Sequence, residues 1–287
     1  MSIEKKIIVV TGANSGIGKE TAKALALKRA TVVIVCRDEA RGLAAQQDLI
    51  ALTGNQNIDL MLCDFSRHQS IKAFGENFNK KYDRLDVLVN NAGLVVGEKM
   101  STPDGFEWMF GVNHLGYFLT THYLMPALKK AKSARIVNVA SMAHRFSGFD
   151  INNLNAEKSF SQFGTYGLSK LCNILFTKYL SKKLADTKIT VNCLHPGAIA
   201  SNFGSSGSPL YSYLATRFGK YVLKTTAQGA ATSIFLASSD AVEGISGEHF
   251  SDCKKVIPSA AARSEKNAAD LWSKSLEFTG IKDYGVV

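Results

Sequence analysis

The sequence contains few cysteines and no long apolar run. No two cysteines form a C-x-x-C pair, and they are scattered as Cys36, Cys63, Cys172, Cys193 and Cys253. This pattern argues against a disulfide framework or a zinc ribbon and indicates a reducing compartment. The longest apolar runs, such as 7–10 and 31–36, fall far short of the roughly 18–20 residues of a membrane-spanning helix. Because the N-terminal residues also lack the apolar segment of a signal peptide, we expect a cytoplasmic protein without a transmembrane segment.

Motifs of two other chemistries are missing as well. The six histidines are dispersed, and neither the H-E-x-x-H motif of zinc peptidases nor a G-x-S-x-G nucleophile elbow occurs. The sequence therefore predicts neither a metal site nor acyl-transfer chemistry.

Basic residues outnumber acidic ones, with 34 Lys and Arg against 24 Asp and Glu, which gives a net charge of +10. Such an excess can favour the binding of nucleic acids, acidic membrane surfaces or anionic small molecules. No run of about five or six like charges is present, so a solvated basic surface accounts for most of the excess. Because no nucleic-acid recognition motif is found, we expect a small-molecule substrate and no nucleic-acid partner.

Short β-branched runs alternate with longer stretches in which apolar residues recur at helical spacing. The predicted strands are 6–10, 31–36, 58–63, 85–90, 134–141, 189–194 and 248–251, and the predicted helices are 17–28, 38–52, 69–82, 104–130, 165–186, 225–238 and 264–278. Strands that are apolar throughout are typical of a parallel sheet with helices on both faces. The alternation therefore predicts an α/β fold with a doubly wound parallel sheet, in one domain that spans residues 1–287.

One segment interrupts this alternation. Residues 200–220, between the sixth strand and the next helix, are rich in glycine, serine and aromatic residues. Ligands of α/β sheets bind at the carboxyl ends of the strands, so an insertion at this place is predicted to be a substrate lid, with a surface loop as the alternative. After the last strand we expect a helical C-terminal tail at about 254–287.

A glycine-rich turn, T-G-A-N-S-G-I-G, lies between the first strand and the first helix. Its pattern, G-x-x-x-G-x-G, fits neither the G-x-x-x-x-G-K-[ST] phosphate loop nor the G-x-G-x-x-G fingerprint. Glycines permit a tight turn and a close approach to a ligand, and the helix N-terminus presents N–H groups to a phosphate. The turn therefore predicts a dinucleotide site formed by Gly12, Asn14, Ser15, Gly16, Ile17 and Gly18.

The end of the second strand bears on which dinucleotide binds. At that position an acid accepts the adenosine ribose 2′-hydroxyl of NAD, whereas an arginine accommodates the 2′-phosphate of NADP. Cys36 stands where the acid is expected, and Arg37, whose planar guanidinium suits a phosphate, follows it. We therefore predict NADP(H) in preference to NAD(H). Asp38 could serve NAD(H) instead if the strand ended two residues later.

Tyr166 and Lys170 are four residues apart in a predicted helix, so they project from the same face. A phenol with a pKa near 10 is a poor acid–base group at neutral pH. A nearby ammonium favours the phenolate and lowers that pKa towards a useful value. Ser141 ends the fifth strand, where its hydroxyl could hold a substrate oxygen while Tyr166 exchanges a proton. The hydride itself would belong to a nicotinamide.

Together these residues resemble the short-chain dehydrogenase/reductase family from residue 6 to about residue 251. The resemblance implies a Rossmann fold with strand order 3-2-1-4-5-6-7, and homodimers or homotetramers formed through the helices at 104–130 and 165–186. It implies that Asp64 receives the adenine ring and that Lys170 bonds the nicotinamide ribose. Asn113 would complete a tetrad with Ser141, Tyr166 and Lys170 by holding water in a proton relay. Further implied cofactor contacts are Asn91, Ala92, Gly93, Tyr166, Pro196 and Gly197.

Finer motifs are similar to the retinol dehydrogenase and WW-domain oxidoreductase branch, such as G-A-N-S-G at 12–16, N-H-L-G at 113–116 and H-P-G at 195–197. Many vertebrate members of that branch begin with a membrane-anchoring helix, which this sequence does not show. The resemblance implies an NADP(H)-dependent oxidoreductase of a bulky, mostly apolar alcohol or carbonyl, such as a retinoid, a steroid or another ketone or aldehyde. We expect His144, Arg145 and Phe146, together with the insertion, to line the pocket. The alternative is a non-catalytic NADP(H)-binding sensor or scaffold, which would not need the whole tetrad.

Overall fold

One sheet organises the residues that the computed structural model describes, 3–197 and 224–286. Its strands are β1 (Ile7–Thr11), β2 (Thr31–Cys36), β3 (Ile58–Leu62), β4 (Val87–Asn90), β5 (Ala134–Val139), β6 (Ile189–His195), β7 (His249–Ser251) and β8 (Lys254–Lys255). They are ordered β3-β2-β1-β4-β5-β6-β7-β8. The first seven are parallel, and β8 pairs antiparallel with β7. The predicted α/β class and the order of the first seven strands are confirmed, and β8 is an addition that the sequence did not predict.

Helices cover both faces of this sheet. They are α1 (Gly16–Leu27), α2 (Glu39–Thr53), α3 (His68–Lys81), α4 (Trp108–Phe110), α5 (Gly116–Lys130), α6 (Gln162–Lys183), α7 (Thr226–Ser238), α8 (Ala260–Arg263) and α9 (Glu265–Thr279). On β1, Val9 belongs to the core cluster that contains Phe118 of α5, whereas Ile8 and Val10 belong to the cluster that contains Leu25 of α1. Alternate residues of the strand therefore face opposite helical layers, which explains why the strand is apolar throughout.

Side chains at the helix starts explain where two of the helices begin. Asp38 caps α2, because its carboxylate accepts a hydrogen bond from Arg41 N at 2.8 Å. Ser161 caps α6 by accepting from Gly164 N at 3.2 Å. The cap places the start of α6 at residue 162 rather than at the predicted 165.

The helix predicted at 104–130 is interrupted, so a single continuous helix was wrong. The helix α4 begins where the Glu107 carboxylate accepts from two N–H groups of the first turn, at 3.0 and 2.7 Å. A π-helical turn, Gly111–Leu115, then joins α4 to α5, and in it the Gly116 N–H bonds to Gly111 O, five residues back. Residues 109–121 are all buried, so this stretch has no one-sided apolar pattern in which the extra residue of a π-helical turn could be recognised.

The C-terminal helix and the residues after it pack on α5 and α6. Trp272 is only 6% exposed, and its ring centroid lies 5.3 Å from that of Phe118 and 4.9 Å from that of Tyr179. The Tyr284 hydroxyl donates to Phe118 O at 2.6 Å. The end of the chain is therefore part of the core on this side of the sheet.

A buried hydrogen bond also ties α9 to the π-helical turn. Ser275 Oγ donates to Leu271 O at 2.8 Å, so it acts as the acceptor for His114 Nε2 at 3.0 Å. Both side chains are fully buried, and burial lowers the pKa of His114 to about 3. The bond therefore joins two neutral groups.

An oligomer was expected through the helical segments 104–130 and 165–186, but their large apolar side chains are buried inside one chain. These side chains are Phe110, Leu115, Phe118, Leu119, Leu124, Leu171, Ile174, Leu175 and Phe176. Their burial against the sheet and the C-terminal residues requires no second copy. A homodimer or homotetramer stays a prediction, without these residues as its basis.

Two expectations concern the lid and the membrane. The lid predicted at about 200–220 lies outside the described residues. Within 3–197 and 224–286, no helix combines enough length and apolar character to cross a membrane.

The packing of Trp272 leads to a stability prediction. The substitution Trp272→Ala should lower the free energy of unfolding by about 3–5 kcal/mol, because it removes a buried indole and leaves a cavity between α9, α5 and α6. Urea denaturation would measure this, with the exposed neighbour Ser273→Ala as a control that should stay within about 0.5 kcal/mol. A loss below about 1 kcal/mol for Trp272→Ala would contradict the packing described above.

Candidate active site

A cleft of about 1180 Å³ lies at the carboxyl ends of the parallel strands. This volume exceeds the roughly 300–1,000 Å³ of a typical small-ligand pocket, so the cleft has room for a dinucleotide and a second ligand. Most of the predicted site residues line it, namely Gly12, Asn14, Ser15, Gly16, Ile17, Gly18, Arg37, Asp64, Asn91, Ala92, Gly93, Ser141, Tyr166, Lys170, Pro196 and Gly197. Of the predicted catalytic and cofactor-binding residues, Asn113 alone does not form part of its wall.

The glycine turn between β1 and α1 forms one wall of the cleft. Gly16 has a backbone φ of +58°, in the left-handed region that favours glycine, and the space beside its Cα is open. At Gly18 a Cβ atom would lie 2.4 Å from Gly12 O, so the close packing there requires glycine. The Ser15 side chain caps no N–H group at the start of α1. The first turn of α1 therefore presents its N–H groups to the cleft as a phosphate-binding helix start does.

A threonine that the sequence analysis did not assign holds this turn in place. Thr11 Oγ1 accepts hydrogen bonds from Asn91 N and Ala92 N, both at 2.9 Å. In return, Asn91 Nδ2 donates to Thr11 O at 2.8 Å. These three bonds join the end of β1 to the segment that follows β4, so the glycine turn and residues 91–93 share one rigid wall.

Two arginines lie at the end of β2. Arg37 and Arg41 both line the cleft and are exposed, although the sequence analysis identified only Arg37. Asp38, the alternative considered there, uses one carboxylate oxygen to cap α2 at Arg41 N. Cys36 Sγ donates to Asp38 O at 3.3 Å and further fixes this turn. The charge presented to a ligand at this point is therefore mainly positive.

Asp64 lies beyond the end of β3 and lines the same cleft. Its Oδ1 accepts from Ser66 N at 3.0 Å and from Ser66 Oγ at 2.7 Å, and Oδ2 lies 3.6 Å from Arg67 Nε. These contacts fix the orientation of the carboxylate. The contact with an adenine ring stays a prediction.

Lys170 is a buried cation beside Tyr166. It is 2% exposed, and its Nζ donates to Val139 O at 3.1 Å. The same Nζ lies 5.8 Å from the ring centroid of Tyr166 and 5.5 Å from that of Tyr117. Burial lowers the pKa of Lys170 to about 7, because the ammonium loses its hydration. An anion or a phenolate in the cleft would favour the charged form of Lys170.

Ser141 follows β5 and lines the same cleft as Tyr166 and Lys170. Its Oγ accepts from Ala143 N at 3.2 Å and caps the 3-10 turn Met142–Phe146. A hydroxyl that accepts in this way keeps its own proton for donation to a ligand oxygen. Ser141, Tyr166 and Lys170 therefore line one cleft, and their catalytic roles stay a prediction.

Asn113 lies behind the cleft, in the π-helical turn. Its Oδ1 accepts from Leu94 N at 2.8 Å, and its Nδ2 donates to Leu94 O at 2.9 Å and to Ser169 Oγ at 3.1 Å. Both N–H donors of the amide are thus used, and the side chain connects the segment after β4 to α6. A water-holding role for Asn113 would therefore fall to its backbone rather than to its amide hydrogens.

The prediction that residues 144–146 line the cleft is only partly correct. Phe146 lines the cleft and is 81% exposed, but His144 is buried and Arg145 donates from its guanidinium to Ile257 O. The tight 3-10 turn explains the difference, because it turns His144 inwards against Ser141 O. Apolar residues that the sequence analysis missed complete this wall, among them Met142, Trp108 and Phe163.

Comparison with known proteins gives consistent matches. The family model described as short chain dehydrogenase matches residues 6–209. Retinol dehydrogenase 12 of Mus musculus is 42% identical over 282 residues, which cover 98% of this chain and 89% of that protein. Retinol dehydrogenase 11 of Homo sapiens is 42% identical and covers 96% and 86%. The crystal structure of a putative uncharacterized protein from Mycobacterium paratuberculosis, at 30% identity, superposes with a TM-score of 0.79 over 97% of this chain and 95% of that one.

The buried lysine leads to a prediction about pH. The pKa of Lys170 is lowered from 10.5 to about 7, so between these values the unfolded chain binds more protons than the folded one and stability increases as pH rises. Relative to Lys170→Met, the ligand-free protein should gain about 2 kcal/mol of unfolding free energy between pH 7 and pH 9. Urea denaturation of both proteins across this range measures the difference. Parallel pH profiles would show that Lys170 keeps an ordinary pKa.

Proposed function

The chain belongs to the short chain dehydrogenase family, in the branch related to retinol dehydrogenases, and from that premise we propose that it is an NADP(H)-dependent oxidoreductase. The family membership supports an oxidoreductase that acts on CH–OH and C=O groups. The further proposal is that it transfers a hydride between NADP(H) and a bulky, mostly apolar alcohol or carbonyl. The observation that carries it is the convergence of Ser141, Tyr166 and Lys170 on the cleft that the glycine turn also lines.

The residues around the cleft fit a dinucleotide. The uncapped start of α1 and the open space at Gly16 suit a pyrophosphate, as helix N-termini do elsewhere. Asp64 would contact the adenine, and Lys170 would bond the nicotinamide ribose. A nicotinamide dinucleotide supplies the hydride donor or acceptor when it is bound.

The proposed role of the chain itself is to hold the substrate oxygen and to move its proton. Ser141 would donate a hydrogen bond to that oxygen, and Tyr166 would exchange the proton with it. Lys170, with its Nζ 5.8 Å from the Tyr166 ring centroid, favours the phenolate form through its charge. Asn113 would act by fixing the position of α6 relative to the segment after β4.

The preference for NADP(H) is supported by the end of β2. Two guanidinium groups, those of Arg37 and Arg41, line the cleft there. The carboxylate that could accept a ribose hydroxyl, Asp38, already caps α2. A 2′-phosphate would find two cations at this place, whereas a free hydroxyl would find few acceptors.

Substitution of the first arginine tests the cofactor preference. Arg37→Ala should raise the KM for NADPH about ten-fold or more, because a hydrogen bond to a charged group contributes roughly 1.5–3 kcal/mol, and should leave the KM for NADH within two-fold. Steady-state kinetics with both cofactors measure this. The exposed Arg263→Ala, on α8, is a control for net charge and should change neither value. Equal losses for NADPH and NADH would argue against a phosphate contact.

The proposed substrate class is supported by the apolar wall of the cleft. Phe146 and Phe163 are 81% and 59% exposed and line it together with Met142 and Trp108. Large aromatic surfaces of this kind bind bulky apolar groups. The names of the relatives, which are retinol dehydrogenases, agree with such a substrate. We propose retinoid-like or steroid-like compounds or other apolar ketones and aldehydes as the class.

A carbonyl panel tests the activity itself. With NADPH, a retinoid aldehyde or a steroid ketone should be reduced with a higher kcat/KM than a short polar aldehyde, as followed by cofactor absorbance. Tyr166→Phe should lower kcat about 10²–10⁴-fold, the usual contribution of a general acid, while NADPH binding measured by fluorescence titration stays within about five-fold. The alternative, a non-catalytic sensor or scaffold, is not favoured. It would be supported if NADPH bound tightly and no carbonyl in the panel were reduced.

A further inference from the structure

We propose that His144 and His195 are positioning residues that hold the peptide group between Ser141 and Met142 from both ends through two neutral imidazoles of opposite tautomer. The catalytic part of this inference rests on the function proposed above. Neither histidine was assigned a role in that function. Both act on the backbone at the place where the Ser141 hydroxyl enters the cleft.

His144 holds the oxygen of this peptide group. Its Nδ1 lies 2.6 Å from Ser141 O, and because a carbonyl oxygen can only accept, Nδ1 carries the hydrogen. Its other nitrogen, Nε2, accepts from Ser259 N at 3.2 Å, so Nε2 carries none. His144 is therefore neutral, with its proton on Nδ1, and it connects Ser141 to the segment before α8.

His195 holds the nitrogen of the same peptide group. Its Nδ1 accepts from Met142 N at 3.1 Å, so Nδ1 carries no hydrogen and the neutral ring has its proton on Nε2. His195 ends β6, and it also lines the cleft. The two imidazoles thus carry their protons on different nitrogens. One side chain holds each end of the peptide group between them, and its oxygen also accepts from His144 N at 3.2 Å.

Holding this peptide group should fix the direction of the Ser141 hydroxyl. The Ser141 backbone is extended, with φ −155° and ψ 156°, and the 3-10 turn begins at the next residue. Rotation of the peptide group would change ψ of Ser141 and φ of Met142 together, and would move the turn that Ser141 Oγ caps. Since a displacement of about 1 Å can cost two orders of magnitude in rate, a fixed peptide group is a requirement of a working Ser141.

The surroundings keep both rings neutral. Burial is the main cause that lowers the pKa of His195 to about 4, with Lys224 and His144 adding to it and Asp252 opposing it. Burial and Arg145 lower the pKa of His144, whereas its bond to Ser141 O opposes them.

A third ring completes this environment. His249 of β7 lies 5.3 Å from the His144 ring centroid, and its Nδ1 lies 3.5 Å from Cys193 Sγ. Burial, followed by His144, His195 and Arg145, lowers the pKa of His249 to about 3. Protonation of His195 Nδ1 would place an N–H against the Met142 N–H. The hydrogen bond that holds this peptide group should therefore be lost only at low pH.

Two amides at position 195 provide a matched test. His195→Asn places its Oδ1 near the position of Nδ1, where it can accept from Met142 N, whereas His195→Gln carries the same amide one carbon further out. We expect His195→Asn to keep kcat within about three-fold of the wild type, and His195→Gln to lose at least about ten-fold, with the KM for NADPH within two-fold in both. Because asparagine does not titrate, the fall of kcat on the acid side should move to lower pH in His195→Asn. Equal kcat values in the two variants would overturn the proposal.

A spectroscopic readout tests the tautomers without any turnover. Long-range ¹H–¹⁵N spectra of the full chain should show His144 protonated on Nδ1 and His195 on Nε2, both unchanged from about pH 8 to about pH 5, the range in which an ordinary histidine titrates. A charged ring, or the same tautomer at both positions, would overturn the proposal. If the carbonyl panel showed no reaction, the proposed activity would be wrong. The tautomers would still show whether His144 and His195 hold the peptide group.

Discussion

The hydroxyl of Thr11 joins the two halves of the sheet at the point where the cleft opens. The strands β3, β2 and β1 lie on one side of this point, and β4, β5 and β6 lie on the other. Connections that leave β1 and β4 diverge there, which is why ligands of such sheets bind between them. Thr11 Oγ1 binds Asn91 N and Ala92 N, so the turn with Gly12 and the segment up to Gly93 cannot separate. The dinucleotide contacts proposed for Gly12 and for residues 91–93 depend on this junction.

The other half of the cleft depends on a charge that is kept out of water. Lys170 is surrounded by the Val139 carbonyl and two phenol rings, and burial without further compensation is unfavourable to its ammonium. A negative charge that enters the cleft offsets the desolvation cost of this ammonium and is therefore strongly stabilised there. The neutral histidines beside Ser141 supply hydrogen bonds without adding a further buried charge. The polar groups around the reacting atoms are therefore fixed before a ligand arrives.

The sequence predicted those parts of the site that local patterns determine. The glycine turn, Arg37 and the pair Tyr166 and Lys170 were found because each depends on spacing within one element. The α/β class and the order of the first seven strands followed in the same way from alternation and from the family resemblance. The strand β8 was missed because two exposed lysines, Lys254 and Lys255, have no apolar pattern.

Other parts depend on contacts that are distant in the chain. His144 turns inwards partly because its Nε2 meets Ser259 N, which is 115 residues away. The Asn113 amide is directed by Leu94 and Ser169, and the π-helical turn around it lies in a stretch that is buried on all sides. Arg41 lines the cleft from the first turn of α2, which Asp38 caps. Patterns within a short window contain no information on such partners.

The position of Ser275 has a consequence for the order in which the protein forms during synthesis. Its partner in the π-helical turn, His114, is 161 residues earlier, and Tyr284 reaches Phe118 O from 166 residues away. While the ribosome is still adding residues beyond 264, the apolar surfaces of α5 and α6 have no cover and the turn that holds Asn113 has no anchor. Because domains generally fold as units, the surroundings of Asn113 are complete only once residues 265–284 have been added. A nascent chain that stops before them presents an open apolar face to chaperones.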